Sequence, residues 1–313
     1  MGGRILVIRG GAIGDFVLTL PALGLLREHL PDAEIEILGY AHIAALAEGR
    51  HYAVRIRSIE YSALAGFFAR NGTLEAELCA YFSGFSQVIS YLYDPDGIFE
   101  ANLRRSGVKH YLKAYAKPTV RHAAAEWAAP LEQLALFLEE SAARLYPSEG
   151  DLAEARRFLG GLPEGEKRLA VHPGSGSGSK NWAVEGWSRI GERFWGEDPS
   201  GEIVLVGGEA DEEALGVLGK RWAGRRVRMA KGLSLPLLAA VLAECGFFAG
   251  HDSGVSHIAA AVGARCVLLF GPTDPRVWAP TNKGVKVLGA PFGDLARLDE
   301  ATVWEGVCGL WND

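Results

Sequence analysis

The sequence predicts an α/β protein built from two doubly wound halves. Short apolar runs rich in β-forming residues alternate with amphipathic helical stretches along all 313 residues, a pattern typical of βαβ units and parallel sheets. Glycine contributes 40 residues, which cluster at the ends of the apolar runs, where tight strand-to-helix turns are expected. The alternation starts again after about residue 150, so we expect domains at 1–150 and 151–313, joined near 141–166.

The first half opens on the pattern of a buried strand. RILVIR at Arg4–Arg9 is apolar throughout its centre, and the glycine-rich segment 10–14 predicts a turn. A helical pattern starts at Asp15, and Pro21 inside it predicts a kink or a late start of the helix. Further strands are expected at 34–39, 53–59 and 87–91.

The second half repeats the alternation but not the sequence. Strands are expected at 169–172, 203–207, 246–250 and 266–270, and helices at 151–159, 185–195, 210–221, 235–243 and 254–262. The segment 162–167 is interpreted as a loop. Ligands of doubly wound sheets bind beyond the carboxyl ends of the strands. With two such halves facing each other, we expect the functional site in the cleft between them.

Composition and charge exclude several classes of protein. Hydrophobic residues make up 49% and charged residues 22%, which is typical of a globular chain and not of a disordered or fibrous one. The net charge is −6 and the pI is about 5.8, which argues against general nucleic-acid binding. The four cysteines form no CxxC pair and suit neither a zinc site nor a disulfide framework.

The compartment is predicted from the same features. The cysteine pattern favours a reducing cytoplasm. The N-terminus lacks the pattern of a signal peptide, and no apolar run is long enough to span a membrane. Contact with a membrane surface, on the inner face of the plasma membrane, stays open.

The first motif that carries chemistry is the strand–turn–helix segment around Gly11, Gly14 and Asp15. The glycines allow a tight turn, and the dipole at the start of a helix favours a carboxylate at Asp15. That carboxylate could accept a proton from a substrate hydroxyl, or could simply cap the helix. The GxGxxG pattern of dinucleotide-binding proteins is absent.

The second motif is HPGSGSGSKNW at 172–182, between a strand and a helix. Its small residues let backbone amides approach an anion, the hydroxyls can donate, and Lys180 supplies a positive charge. The segment predicts a phosphate-binding loop that is not a Walker A loop, since Ser179 and Asn181 break that pattern. The alternative is a flexible Gly/Ser loop.

The third motif is GHDSGVSH at 250–257, again from strand to helix. Ser253 and Gly254 would offer backbone amides to a second phosphate, and Asp252 could bind a sugar hydroxyl or cap the helix. His257 lies one helical turn beyond Ser253 and could face the same ligand. A metal site of His251, Asp252 and His257 lacks a further ligand at suitable spacing, so no metal is expected.

Two further segments are ambiguous. Glu209 in VGGEAD follows a strand end, where its carboxylate could bind a ribose or sugar hydroxyl or cap a helix. The stretch 104–122 holds six Lys or Arg and no acidic residue, although the protein is acidic. It could face an anionic acceptor or a membrane surface, or be a solvated basic face.

Taken together, four blocks resemble glycosyltransferase family 9, the ADP-heptose:lipopolysaccharide heptosyltransferases. The blocks are RILVIRGGAIGDFVLTLPAL at 4–23, VHPGSGSGSKNW at 171–182, LVGGEADEE at 205–213 and GHDSGVSHIAAAVGARCVLLFGPTDP at 250–275. Their order and spacing match the family over nearly the whole chain, and the last block is the most specific. Residues 40–140 carry no matching block, so the acceptor stays unidentified.

The resemblance implies a GT-B fold of two Rossmann-like domains and inverting, metal-independent transfer of a heptose or similar sugar. It implies an ADP-sugar donor, an anionic lipopolysaccharide-core-type acceptor and no cofactor. Asp15 would be the general base, beside the acceptor-side loop of Gly11 and Gly14. The implied donor-binding residues are Ser175, Gly176, Ser177, Lys180, Glu209, Leu233, Asp252, Ser253, Gly254 and His257.

Three other functions stay open at the level of sequence. One is transfer of another sugar from another nucleotide on the same fold. Another is a non-catalytic protein that binds nucleotide sugars, against which the presence of both Asp15 and Lys180 argues. The third is a nicotinamide-dependent oxidoreductase, which the missing GxGxxG disfavours.

Overall fold

The computed structural model describes residues 3–161 and 165–312, without the side chain of Asn312. Part of the loop expected at 162–167, residues 162–164, therefore lies outside the described residues. The chain divides into two compact units, Met1–Ser141 and Ala142–Asp313, where the sequence predicted a boundary at 150.

The first unit is an α/β unit with a five-stranded parallel sheet in the order β3-β2-β1-β4-β5. Its strands are β1 Arg4–Arg9, β2 Glu34–Gly39, β3 Arg55–Ser58, β4 Gln87–Ser90 and β5 Tyr111–Lys113. Its helices are α1 Ile13–His29, α2 Ala41–Ala44, α3 Ala76–Ser83, α4 Ile98–Arg105 and α5 Ala123–Ala128.

The central strand explains why RILVIR is apolar without alternation. Strand β1 pairs with β2 on one side and with β4 on the other. Leu6 and Val7 point to opposite faces of the sheet and both are 0% exposed. Both faces of the sheet are therefore covered, which is the usual situation of a parallel sheet.

Helix α1 differs from its prediction in where it begins. It starts at Ile13, before Asp15, and continues through the buried Pro21 to His29, so the predicted late start is wrong. Proline lacks an N–H and removes one helical hydrogen bond. The neighbouring residues Leu18, Leu20 and Ala22 are buried, and this packing offsets the lost bond.

The second unit repeats the topology with one more strand. Its parallel sheet has the order β11-β10-β9-β6-β7-β8. Its strands are β6 Arg168–His172, β7 Glu202–Gly207, β8 Val227–Lys231, β9 Phe247–His251, β10 Arg265–Phe270 and β11 Val285–Gly289. Its helices are α6 Glu149–Leu159, α7 Val184–Glu197, α8 Glu212–Arg221, α9 Leu235–Cys245, α10 Gly254–Ala261, α11 Pro275–Trp278 and α12 Glu300–Asn312.

The strand order brings three loops of the second unit to one edge of its sheet. Strands β9, β6 and β7 are neighbours and parallel, so the segments after them leave at the same carboxyl edge. These segments carry Lys180, Glu209 and Asp252. The predicted site segments of this unit thus follow adjacent strands.

Hydrogen bonds explain why the second unit begins at Ala142. The Leu145 N–H donates to the Ala261 carbonyl at 2.8 Å. The Asn282 side-chain amide donates to the Ala143 carbonyl, also at 2.8 Å. Helix α6 then packs against α9 of the same unit. The chain therefore joins the second unit before α6 begins.

Tryptophan is distributed unequally between the two units. Of the eight tryptophans only Trp127 belongs to the first unit. In the second unit Trp182 meets Trp187, and Trp195 meets Trp222, both edge to face at 5.5 Å between ring centroids. These rings belong to the main core cluster of that unit. Within the described residues, no helix is both long and apolar enough to cross a bilayer.

Candidate active site

Asp15 lies in the first turn of α1 and has two different oxygen environments. Oδ2 accepts the Ala12 N–H at 2.9 Å, which caps the helix from inside its first turn. Oδ1 lies 3.9 Å from Nη2 of Arg9, and the side chain is 32% exposed. Asp15 therefore caps the helix and still presents a carboxylate to solvent, so the capping role and the role of a base are compatible.

The two acceptor-side glycines have different local roles. Gly11 has φ +93°, and a Cβ there would lie 2.7 Å from Oδ2 of Asp15. A side chain at Gly11 would thus strain the backbone and press on the carboxylate. Gly14 is the second residue of α1 and is half-buried.

Arg9 is a site residue that the sequence analysis missed. It is the last residue of β1, is 7% exposed, and its guanidinium stacks on the Trp127 ring at 4.3 Å. Nη2 donates to the Asp15 backbone carbonyl at 3.1 Å. Burial lowers the pKa of Arg9, and the nearby Asp15 acts in the opposite direction. Its position at the end of a strand beside the Gly-rich turn is the signal that could have found it.

The donor loop, residues 174–182, is held by its own side chains at its exposed tip. The Ser175 hydroxyl lies 2.6 Å from Oδ1 of Asn181, and the hydroxyls of Ser177 and Ser179 are 3.0 Å apart. Gly176 adopts φ +72°, which glycine tolerates. The loop is thus an arc whose tip is joined by its own hydrogen bonds.

Lys180 and Asp252, predicted separately, contact each other. The Lys180 ammonium donates to Oδ2 of Asp252 at 2.7 Å. The lysine side chain is 32% exposed and the aspartate side chain 9% exposed. The aspartate therefore holds the ammonium at the carboxyl edge of the sheet while the lysine stays reachable from solvent.

The amino end of α10 contains three of the predicted donor-binding residues. Ser253 is the N-cap, and its Oγ accepts the Ser256 N–H at 3.4 Å. Gly254 is the first helical residue, where backbone N–H groups have no helical partner. His257 is one turn further and is buried, with 5% exposure.

A buried polar chain behind Ser253 was also missed by the sequence analysis. Nε2 of His172 lies 3.3 Å from Oδ2 of Asp211, and Nδ1 lies 3.2 Å from the Ser253 hydroxyl. The hydrogen bond from His172 is the main cause of a lowered pKa of Asp211, and the Gly208 N–H adds to it. An ionised Asp211 selects the tautomer of His172 that donates from Nε2. Both residues belong to predicted blocks, so their strand-end positions were the available signal.

Glu209 and Leu233 follow β7 and β8 at the carboxyl edge of the same sheet. They take no part in the Lys180–Asp252 ion pair or in the His172–Asp211 contact. Glu209 is exposed and opens the short 3-10 helix Glu209–Asp211. Asp211, not Glu209, supplies the cap there, because its Oδ2 accepts the Gly208 N–H at 2.8 Å. Leu233 is half-buried in the loop between β8 and α9.

Metal-ligating residues are not clustered in the described part of the chain. Across residues 3–161 and 165–312, no group of three or more His, Cys, Asp and Glu side chains could hold an ion. Both ring nitrogens of His251 are engaged by backbone groups of Gly174 and Trp182. The His251 ring thus makes two structural contacts with the backbone.

Comparison with known proteins assigns the family. The model of glycosyltransferase family 9 (heptosyltransferase) matches residues 99–307. The chain is 27% identical to lipopolysaccharide heptosyltransferase 1 of Escherichia coli K12, over 98% of this chain and 100% of that protein. It is 25% identical to the protein of the same name from Salmonella typhimurium, over 96% of this chain and 98% of that one.

Solved structures share the fold of the chain. A family 9 glycosyltransferase from Veillonella parvula aligns with a TM-score of 0.81 at 20% identity, covering 98% of this chain and 97% of that one. An Escherichia coli heptosyltransferase solved with ADP aligns with a TM-score of 0.72 at 22% identity, covering 98% and 99%. The predicted GT-B fold with two parallel-sheet domains is confirmed. The chain belongs to glycosyltransferase family 9, the heptosyltransferases, and is a glycosyltransferase.

Proposed function

We propose that the protein transfers a heptose, or a similar sugar, from an ADP-sugar to a lipopolysaccharide-core-type acceptor, with inversion and without a metal on the donor. The observation that carries the proposal is the Lys180–Asp252 pair beside the amino end of α10. Relatives along the whole chain are lipopolysaccharide heptosyltransferases, and one related structure contains ADP-2-deoxy-2-fluoro heptose.

The donor side must stabilise a diphosphate leaving group. Breaking the bond from the anomeric carbon to the diphosphate oxygen leaves the electron pair, and negative charge, on that oxygen. Lys180 is a partly exposed cation, and the first N–H groups of α10 point out of the helix end. Together they supply the positive potential that a metal provides in other transferases.

Asp252 would then have two tasks. It holds the Lys180 ammonium before the donor binds, at 2.7 Å. When the diphosphate attracts Lys180, the carboxylate can accept a hydrogen bond from a donor hydroxyl. Glu209 is exposed near the end of β7 and can bind the ribose, with Leu233 packing against the base.

The acceptor side requires one base. The acceptor oxygen forms the new bond to the anomeric carbon while the bond to the diphosphate breaks on the opposite face, and the configuration inverts. Asp15 takes the proton from the acceptor hydroxyl. Its 32% exposure leaves the carboxylate accessible, and Arg9 and the Ala12 N–H fix its orientation.

The basic stretch 104–122 is the proposed contact for the anionic part of the acceptor or for the membrane that carries it. It includes the end of α4 and the edge strand β5. Co-sedimentation with vesicles separates these roles. Pelleting that requires anionic lipid supports membrane contact, and absence of pelleting leaves the stretch as a site for a soluble anion or as a solvated face.

Nucleotide titration tests the donor. The purified protein and its Lys180→Ala variant are titrated calorimetrically with ADP, UDP, GDP, dTDP and NAD. Selective ADP binding that weakens in the variant supports an ADP-sugar donor. Preference for another nucleoside diphosphate keeps the chemistry and changes the sugar donor, whereas binding of NAD alone contradicts the proposal.

Turnover with ADP-heptose tests the reaction itself. Acceptor-dependent release of ADP separates an enzyme from a nucleotide-sugar-binding protein. The anomeric configuration of the product, read by NMR, tests inversion. A rate that EDTA leaves unchanged supports a donor site without metal. A rate that EDTA abolishes, and that only an added divalent cation restores, contradicts it.

A further inference from the structure

The imidazole of His251 makes two backbone hydrogen bonds inside the protein. His251 ends β9 and is 0% exposed. Its Nε2 accepts the Trp182 N–H at 2.7 Å, and its Nδ1 lies 3.3 Å from the Gly174 carbonyl. A neutral imidazole has one donor and one acceptor, so a single tautomer with the proton on Nδ1 satisfies both contacts.

The surroundings of the ring favour this neutral form. Burial is the main cause that lowers the pKa of His251, to about 3, while its bond to the Gly174 carbonyl opposes the shift. The charged or titratable groups that face the ring are His172, Asp211 and Asp252. The ring is therefore neutral near pH 7, and its Nε2 accepts the Trp182 N–H.

The two backbone partners are the first and last residues of the donor loop. Gly174 opens the loop and Trp182 closes it, so one side chain on β9 is bonded to both ends of the arc that carries Lys180. Trp182 is further fixed by its indole N–H, which donates to the Leu298 carbonyl at 3.1 Å. The Trp187 ring meets the imidazole edge to face at 5.3 Å and limits its movement.

The position of His251 in the chain connects this contact to the ion pair. The next residue is Asp252, which binds Lys180 from the same loop. The loop after β6 is thus joined to the end of β9 at three points, two through the imidazole and one through the carboxylate. If the loop were released at its ends, a ligand would have to order it, and this ordering opposes binding.

We propose that His251 is a positioning residue that clamps both ends of the donor loop, so that Lys180 is held for the diphosphate before the donor binds. This role rests on the proposed function of the loop in nucleotide-sugar binding. His251 is not a catalytic residue, since its imidazole contacts backbone groups of the loop and the ring of Trp187. The clamp makes the loop a preformed anion site.

Three variants separate the two hydrogen bonds. His251→Phe keeps a ring against Trp187 and loses both bonds. His251→Asn places an amide near the Nδ1 position and can keep the bond to Gly174, whereas His251→Gln reaches the Nε2 position and can keep the bond to Trp182. Circular dichroism and thermal melting first establish that each variant is folded.

The measurements are ADP affinity, steady-state kinetics with ADP-heptose, and hydrogen exchange at the Trp182 amide. In His251→Phe we expect the Kd for ADP and the KM for the donor to rise about tenfold, the scale of one buried hydrogen-bond group left unpaired. We expect kcat at saturating donor and the KM for the acceptor to change less than about threefold, because bound donor reorders the loop. Exchange at Trp182 should accelerate in the Phe and Asn variants and stay slow in the Gln variant.

Each failure has a distinct result. A folded His251→Phe variant with wild-type ADP affinity and wild-type exchange at Trp182 overturns the clamp. If His251→Phe does not fold, wild-type affinity and exchange in both the Asn and Gln variants overturn it. If the unmodified protein binds no nucleoside diphosphate while exchange accelerates as expected, the proposed function fails and the clamp remains as a feature of the loop.

Discussion

The two units use one sheet topology to present opposite charges. In both, the first strand is central and ends beside a glycine-rich turn, with later strands added on either side. In the first unit the cation Arg9 is buried, at 7% exposure, and the carboxylate Asp15 is 32% exposed. In the second unit the carboxylate Asp252 is buried, at 9%, and the cation Lys180 is 32% exposed.

This reversal of burial matches the role that the proposed reaction gives to each unit. A reachable carboxylate suits proton acceptance, whereas a reachable lysine suits anion binding. The fold alone specifies neither role. In the proposed reaction, the member of each ion pair that faces solvent carries the chemical role.

The largest effect that we expect comes from removing the exposed carboxylate. Asp15→Ala should lower turnover about 10²–10⁴-fold, the scale of general-base loss, and leave ADP affinity unchanged. The control Asp15→Asn can keep the cap on the Ala12 N–H while losing the base, and should be nearly as inactive. Steady-state kinetics and calorimetry measure both quantities. Near-normal turnover in both variants would remove Asp15 from the mechanism.

Removing the Lys180 side chain should weaken the binding of ADP. Lys180→Ala leaves Asp252 buried and unpaired at the phosphate site, so we expect the Kd for ADP to rise about 10–100-fold. Adding Asp252→Asn should recover part of that loss, since the repelling charge is gone. Calorimetric titration of the two single variants and the double variant forms a double-mutant cycle. If the effects of the two single substitutions on the free energy of ADP binding add up to that of the double variant, the two residues are not coupled in binding.

Gly11 lies beside Asp15 in the first unit, and Gly174 lies beside Asp211 in the second. Substitutions at these two glycines therefore compare the units by their stability. A Cβ on Gly174 would overlap the Asp211 carboxylate, and a Cβ on Gly11 would lie 2.7 Å from Oδ2 of Asp15. We expect Gly174→Ala to lower the free energy of unfolding by about 1–3 kcal/mol. Gly11→Ala should also lower it, because φ is +93° there. Gly178→Ala meets nothing within 4 Å and should stay within about 0.5 kcal/mol in chemical denaturation.

The pH dependence of stability should come mainly from the second unit. The pKa of His251 falls from its ordinary 6.5 to about 3 in the folded chain, chiefly through burial. Between these values the unfolded chain binds a proton that the folded chain does not. The free energy of unfolding therefore falls as the pH drops from 6.5 towards 3, by at most about 1.4 kcal/mol per pH unit from this group.

His251→Phe is the control for that pH dependence. Asp211 also has a lowered pKa, so its stabilising contribution is lost in the same direction on acidification, around and below its ordinary 3.8. Chemical denaturation of both proteins between pH 4.5 and pH 6.5, about the range in which histidine dominates, should give a flatter profile for the variant. Equal slopes would mean that His251 does not titrate as described.

The sequence predicted the central strands better than the edges. Arg4–Arg9 was recognisable because it is apolar on both faces, as is usual for a strand of a parallel sheet that is covered on both sides. Strands Val227–Lys231 and Val285–Gly289 were missed, along with β5 and α12. Both strands lie at edges of the sheet and are interrupted by charged residues, so neither is a continuous apolar run.

The sequence predicted which segments carry the candidate site residues, but not which of their side chains contact each other. Lys180 and Asp252 were identified separately, and their pairing depends on β9 lying next to β6, which local sequence does not specify. His172 and Asp211 lie in predicted blocks, yet a single histidine or aspartate in a strand-end segment gives no sign that it is buried and bonded. Burial of polar side chains is a tertiary property, and it is the part that sequence patterns left out.

Because tryptophan is distributed unequally, different spectroscopic signals report on different units of the protein. Seven of its eight indoles lie in the second unit, several within 5.5 Å of another aromatic ring. Intrinsic fluorescence is therefore mainly a signal from the second unit, whereas far-ultraviolet circular dichroism sums the helices of both. Two melting curves recorded on one sample would coincide if the units unfold together, and would separate if the first unit, with Trp127 as its single indole, melts on its own.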